Sequence, residues 1–170
     1  MPRRIVFVCT GNSCRSPLAE VLARARYADL PLIFASAGTS AVAGQPASAG
    51  ALAVARELGL DLGGHRSTPL DAAAVAGADW VVGLTRAHAA LLGRRLSPSW
   101  PGRVGLLGAA GRDWRREGPV DVGPGGADPD VADPWRGDLP TYRAAAAQID
   151  AALAEWAGVF RELSAGKDGR

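Results

Sequence analysis

The 170-residue chain has little cysteine, no long apolar run and no excess of charge of either sign, and each shortage excludes something. Its two cysteines, Cys9 and Cys14, share one short loop. Such a pair suits reactive thiols in a reducing compartment better than a structural staple. Nowhere do apolar residues run for the roughly 18 positions that a membrane-spanning helix needs. The opening Met1-Pro2-Arg3-Arg4 and the apolar Ile5-Val6-Phe7-Val8 begin like a signal peptide, but the run stops at Cys9, too short for an h-region. A cytoplasmic location away from membranes is the expectation. Lys and Arg number 19 against 17 Asp and Glu, scattered without a basic block, so nucleic-acid binding has no electrostatic footprint. His65 and His88 are far apart and no cysteine cluster exists, which excludes a zinc site, and Asp128-Pro129-Asp130 lacks the remaining ligands of a calcium loop. Neither a metal nor a cofactor is expected.

What is present reads as a single globular domain over residues 1–170, long enough for a substantial core. Ile5-Val6-Phe7-Val8 is a strand. Leu18, Val21, Leu22 and Ala25 then recur at helical intervals, with Ser16 and Pro17 suited to the N-cap and first helical position and an end near Tyr27. Ile33-Phe34-Ala35 is a second strand, and Ala51 to Leu58 a second helix stopped by Gly59. A short helix around Leu70 to Ala76 precedes a buried strand at Asp79 to Leu84, helix returns from Arg86 to Leu96, and Val104 to Leu107 is the fourth strand. Gly108 to Asp130 dissolves into Gly, Pro and charge, a long loop. Beyond Asp138, apolar residues from Tyr142 to Leu163 keep helical period over many turns and predict one last, longest helix; the tail Ala165 to Arg170 is polar and expected to fray. Four strands alternating with helices predict an α/β fold of three α/β/α layers around a four-stranded parallel sheet.

Cys9-Thr10-Gly11-Asn12-Ser13-Cys14-Arg15-Ser16 lies between the first strand and the first helix. A loop so placed aims backbone N–H groups above a helix N-terminus, where amides lack partners and the dipole is positive, and that is an anion site. Those amides, the dipole and Arg15 all favour a thiolate at Cys9. Wrapped around a tetrahedral anion, the loop can hold sulfur beneath phosphorus and the Arg15 fork beside its oxygens, a nucleophile with a transition-state clamp. Asn12, after Gly11, is a candidate for left-handed backbone, which Asn tolerates.

The string Cys9, Gly11, Asn12, Cys14, Arg15, Ser16, Pro17 resembles the loop of the low-molecular-weight protein tyrosine phosphatases, and the resemblance runs from about residue 3 to 163. It implies phosphate binding by Thr10 to Ser16, attack by Cys9 to give a cysteinyl-phosphate, and a phosphorylated protein as substrate with inorganic phosphate as product. Of the aspartates in and after the long loop, only Asp133 stands before Pro and an aromatic residue, so the resemblance makes Asp133 the general acid and later the base, with Asp128 a decoy. It further implies that Ser16 hydrogen-bonds the nucleophilic sulfur, that Ser36 and His65 complete a polar network around Asn12, and that Cys14 can close a protective disulfide with Cys9 on oxidation. His88, on a helix surface, is assigned nothing.

Position 13 departs from the commonest tyrosine-phosphatase form, which has a branched apolar residue there. Ser13 is closer to the threonine of bacterial protein-arginine phosphatases, whose hydroxyl is suited to a guanidinium, and the loop after Thr39 brings no aromatic residue to the cleft. Trp135 supplies one wall and Trp114 a candidate second. Phosphotyrosine and phosphoarginine therefore both stand. The rivals are a thioredoxin-coupled arsenate reductase, which needs relay cysteines although none follows Cys14, and a non-catalytic phosphate-binding module.

Overall fold

Ile5, Val6, Phe7 and Val8 are all fully buried, because side chains of one strand alternate between two faces and both faces of this sheet are covered. The computed structural model describes residues 2–166. Strands β1 (Arg3–Cys9), β2 (Leu32–Gly38), β3 (Trp80–Gly83) and β4 (Arg103–Leu106) form one parallel sheet in the order β2-β1-β3-β4. The helices are α1 (Arg15–Arg26), α2 (Ala49–Glu57), α3 (Ala72–Val75), α4 (Arg86–Arg95), α5 (Trp114–Glu117), α6 (Leu139–Glu155) and α7 (Ala157–Ser164). Ile5 and Phe7 face a core shared with α1, α2, α6 and α7. Val6 and Val8 face a second core built on α3 and α4, with Trp114 of α5 at its margin. The three-layer α/β expectation holds.

Strand order reverses between β1 and its neighbours, the chain stepping first to β2 and then across to β3. Such a switch opens a crevice beyond the carboxyl ends of the strands. Cys9, the last residue of β1, stands at its mouth.

Four expectations change. Ser16 is not the cap of α1: Cys14 is, without a side-chain cap bond, and Ser16 lies inside the first turn. The predicted last helix is two, α6 and α7, divided at Trp156. There the buried indole donates from Nε1 to Leu107 O at 2.8 Å and meets Trp80 edge-on, an anchorage that holds the chain where the helix is interrupted. The long loop contains α5, capped by the Asp113 carboxylate on the Arg115 N–H and ended at Gly118 with φ 76°. The short helix predicted at Leu70 to Ala76 narrows to four residues after an Asp71 cap. Most of the tail expected to fray, residues 167–170, lies outside the described residues. No helix among the described residues is long and apolar enough to cross a membrane.

Candidate active site

The loop from Thr10 to Cys14 is held by its carbonyls. Cys9 O accepts from Thr39 N–H (2.9 Å), Thr10 O from Ser40 N–H (2.9 Å), Asn12 O from His65 Nε2 (2.8 Å), Ser13 O from Ser48 N–H (2.9 Å) and Cys14 O from Leu18 N–H (3.2 Å). A planar trans peptide points its C=O and the following N–H in opposite directions. Tying these carbonyls to the scaffold therefore turns the amides of Thr10, Gly11, Ser13, Cys14 and Arg15 the other way. With the uncapped first turn of α1 they form an anion nest. The loop lies so close to β2 that a Cβ on Gly38 would sit 2.6 Å from Thr10 O and 2.9 Å from Asn12 N, so only glycine fits there.

Asn12 adopts the left-handed conformation (φ 52°) and is completely buried. Its amide is fully used: Nδ2 donates to Ser16 Oγ (2.8 Å) and Ser36 Oγ (2.9 Å), and Oδ1 accepts from Thr68 N–H (2.8 Å). Because the Asn12 carbonyl can only accept, His65 carries its proton on Nε2. Ser36 O–H donates in turn to Glu20 Oε2 (2.5 Å). Ser16 Oγ, which accepts the Asn12 amide, lies 2.9 Å from Cys9 Sγ and 3.4 Å from Ala37 O, the two acceptors its proton can reach. Asn12, Ser16, Ser36 and His65 are thus one hydrogen-bonded unit behind the sulfur.

Cys9 is only 3% exposed, yet its side chain is not sealed in the core. Together with Thr10, Gly11, Ser13, Cys14 and Arg15 it forms a cleft of about 260 Å³ whose opposite wall is Asp133 and Trp135. The buried Arg15 donates from Nη1 to Val131 O (3.1 Å), and its Nη2 pairs with Asp133 Oδ2 (3.4 Å). Asp133 accepts the Trp135 N–H on its other oxygen, and its carboxyl is half open to solvent. Trp135 is 56% exposed, with the Arg136 guanidinium 4.2 Å from its ring centroid. A larger groove of about 670 Å³ between α1, α2 and α6 brings together no nucleophile, and its two guanidinium groups, Arg26 and Arg143, are paired with Asp150 and Glu57; the chemistry belongs to the smaller cleft.

Cys14 faces away from a cap role, its sulfur 3.1 Å from Ser48 Oγ and 3.4 Å from Tyr142 Oη, and both cysteines are free thiols. Burial, followed by the Cys14 contact, pushes the Tyr142 hydroxyl above its ordinary range. Asp128 turns to Arg86 (3.1 Å), as does Asp130 (3.2 Å). Trp114 is no second wall: it packs beside Gly93 of α4, on the other face of the sheet. His88 is not a surface residue either. It is 7% exposed, with Nε2 at 2.9 Å from Thr10 Oγ1 and Nδ1 at 2.9 Å from Thr85 Oγ1. Burial, reinforced by the Arg15 charge and opposed by Asp130 and Asp133, pushes its imidazole down to about 4. Among the described residues no cluster of His, Cys, Asp and Glu is arranged to hold a metal.

A family model described as low molecular weight phosphotyrosine protein phosphatase matches residues 4–167. A protein-arginine-phosphatase of Geobacillus stearothermophilus is 33% identical over 151 residues, 88% of this chain and 90% of that one. A probable low molecular weight protein-tyrosine-phosphatase, EpsP, of Ralstonia nicotianae is 30% identical, with 96% of this chain and 99% of that one covered. Among solved structures, the YwlE arginine phosphatase from Geobacillus stearothermophilus superposes with a TM-score of 0.76 at 30% identity, covering 99% of both chains. None of these relatives is an arsenate reductase or a non-catalytic module, and those two readings find no support. With the family model spanning nearly the whole length, this chain belongs to the low molecular weight phosphotyrosine protein phosphatase family, enzymes that work through a cysteine.

Proposed function

We propose that the chain, acting as one phosphatase domain, removes phosphoryl groups from protein side chains by two in-line transfers. Cys9 thiolate attacks phosphorus, the S–P bond forms and the P–O or P–N bond breaks, while Asp133 gives its proton to the departing atom. Water then attacks the cysteinyl-phosphate, Asp133 takes the proton back, and inorganic phosphate leaves with the thiolate restored. Arg15 and the amides of the loop hold the three equatorial oxygens, where charge develops. Ser16 O–H donates to the sulfur as it departs with negative charge in the second transfer. Ser36 and His65 keep Asn12, and with it the loop, in shape.

The observation that carries this reading is the convergence of Cys9, Arg15 and Asp133 on one small cleft. Wild type should hydrolyse p-nitrophenyl phosphate, and Cys9→Ser should lose all measurable turnover. Asp133→Asn should cost about 10²–10⁴-fold on phenyl phosphate, whose leaving group needs the proton, and less on the nitrophenyl ester. A wild type without turnover, or an active Cys9→Ser, rejects the reading.

Trp135 offers a flat wall to a phenyl ring, which supports phosphotyrosine. Ser13 in the cleft lining offers a hydroxyl to a guanidinium, and the similarity to the protein-arginine-phosphatase agrees with it, which supports phosphoarginine as a second reading. Phosphotyrosine and phosphoarginine peptides should exchange rank in Ser13→Ile, with phosphoarginine losing; an unchanged ratio removes position 13 as the selector. The two free thiols support a cytoplasmic setting.

A further inference from the structure

His88 is buried against the phosphate loop, yet the proposed chemistry leaves it without a task. Thr85, the N-cap of α4, accepts the His88 backbone N–H on its hydroxyl oxygen at 3.2 Å, and that same oxygen lies 2.9 Å from His88 Nδ1. With the backbone N–H on one lone pair, the Thr85 hydroxyl has its proton to give to Nδ1. Nε2 is then the protonated ring atom, 2.9 Å from Thr10 Oγ1. Thr10 accepts on that oxygen and keeps its own proton for the cleft, whose wall it forms.

We infer that His88 is a positioning residue for the reaction: through Nε2–H it sets the Thr10 hydroxyl so that this hydroxyl donates to an oxygen of the bound phosphoryl group. The inference rests on the phosphatase reading above. A hydroxyl free to rotate points its proton at the phosphoryl group only part of the time, whereas one that already accepts from a fixed donor has fewer directions left. The ring carries a single N–H at neutral pH, which lets the Thr85 hydroxyl donate to Nδ1: burial and Arg15 of α1 act against the cation more strongly than Asp130 and Asp133, from the loop ahead of α6, act for it. A second proton, on Nδ1, would leave the Nε2–H bond to Thr10 in place but would turn the Thr85 hydroxyl, which already accepts the His88 backbone N–H, from donor to acceptor.

The test uses the full chain. Thr10→Val and His88→Leu should each lower kcat on p-nitrophenyl phosphate and weaken inhibition by inorganic phosphate about 10-fold, the size of one charge-assisted hydrogen bond lost from the site. The double variant should be no worse than either single one, because both remove the same bond. His88→Gln places an amide N–H near the Nε2 position and should stay within about threefold of wild type, a rescue that packing alone does not provide. Nitrogen NMR of wild type should show the Nε2–H tautomer, and this measurement needs no variant to fold. A Nδ1–H tautomer, a His88→Leu enzyme equal to wild type, a His88→Gln enzyme as poor as His88→Leu, or losses that multiply in the double variant each overturn the inference. An inactive wild type overturns the phosphatase reading and this inference with it; an active one with any of those results overturns this inference alone.

Discussion

Ser16 and His88 show how neighbours decide between two uses of one side chain. By spacing, Ser16 suits a helix cap, but a cap would fill the amides that an anion must find open, and its hydroxyl faces Cys9 Sγ instead. His88 sits at the third position of α4, where a solvated ring would be unremarkable; contacts with Thr10 and Thr85 bury it. That burial has a consequence for stability. The folded imidazole titrates at about 4, below its unfolded value of 6.5, so between those pH values the unfolded chain binds more protons. Stability then rises with pH, and what His88 permits above pH 6.5 is lost as pH falls toward 4, by up to about 3 kcal/mol. In denaturant unfolding at pH 7.5 and 4.5, wild type should lose more stability than His88→Gln by up to that amount. Equal losses in the two proteins would show that the ring titrates normally in the fold.

At the level of elements, the start of α4 ties the two halves of the site together. Its Leu84 O, just before the cap, accepts Val131 N–H at 3.0 Å, and Arg86 receives Asp130 on its backbone N–H (2.7 Å) and its Nε (3.2 Å). Gln148 of α6 holds the other side, donating to Asp130 O at 2.8 Å. The segment carrying Asp133 is thus pinned two and three residues upstream of its carboxyl. Removing the Arg86 side chain loosens one of those pins without touching the cleft. Arg86→Ala is expected to lower kcat about 10-fold on phenyl phosphate, where the acid must be placed, and to leave the melting temperature nearly unchanged because the ion pairs are solvated. Comparing kcat on phenyl and nitrophenyl phosphates checks this; equal losses on both would mean that the acid is not what moved. The phosphate loop was legible in sequence because its residues are contiguous, and Asp133 because Pro134 and Trp135 follow it. The Arg86 contacts and the His88 burial were not, since each joins residues 42 to 78 positions apart. The break at Trp156 was hidden for a different reason: Leu153, Trp156, Phe160 and Leu163 keep helical spacing straight through it, and only the bond to Leu107 O marks the place.

Across the whole molecule, the cleft and the aromatic cluster occupy different parts of the sheet. Cys9 ends β1, whereas the aromatic cluster of Trp80, Trp156, Phe160, Phe34 and Tyr27 fills the space between the sheet and α6 and α7. Gly105 of β4 lies against two of these rings and is two strands over from β1. A Cβ there would come to 2.8 Å from Trp156 Cη2 and 3.1 Å from Trp80 Cε3, so one ring must shift. The two indoles pack edge-on at 5.1 Å, and Trp156 is further held by its bond to Leu107 O, which leaves little room to yield. Gly105→Ala is therefore expected to cost about 1–3 kcal/mol of folding stability. The phosphate loop is fixed by bonds to Leu18, Thr39, Ser40, Ser48, His65 and His88, and none of them runs through the indole pair. At 25 °C, well below the transition, kcat should stay within about twofold of wild type while thermal unfolding moves down by several degrees. A fall in kcat that tracks the loss of stability would show instead that the packing between sheet and α7 sets the geometry of the cleft.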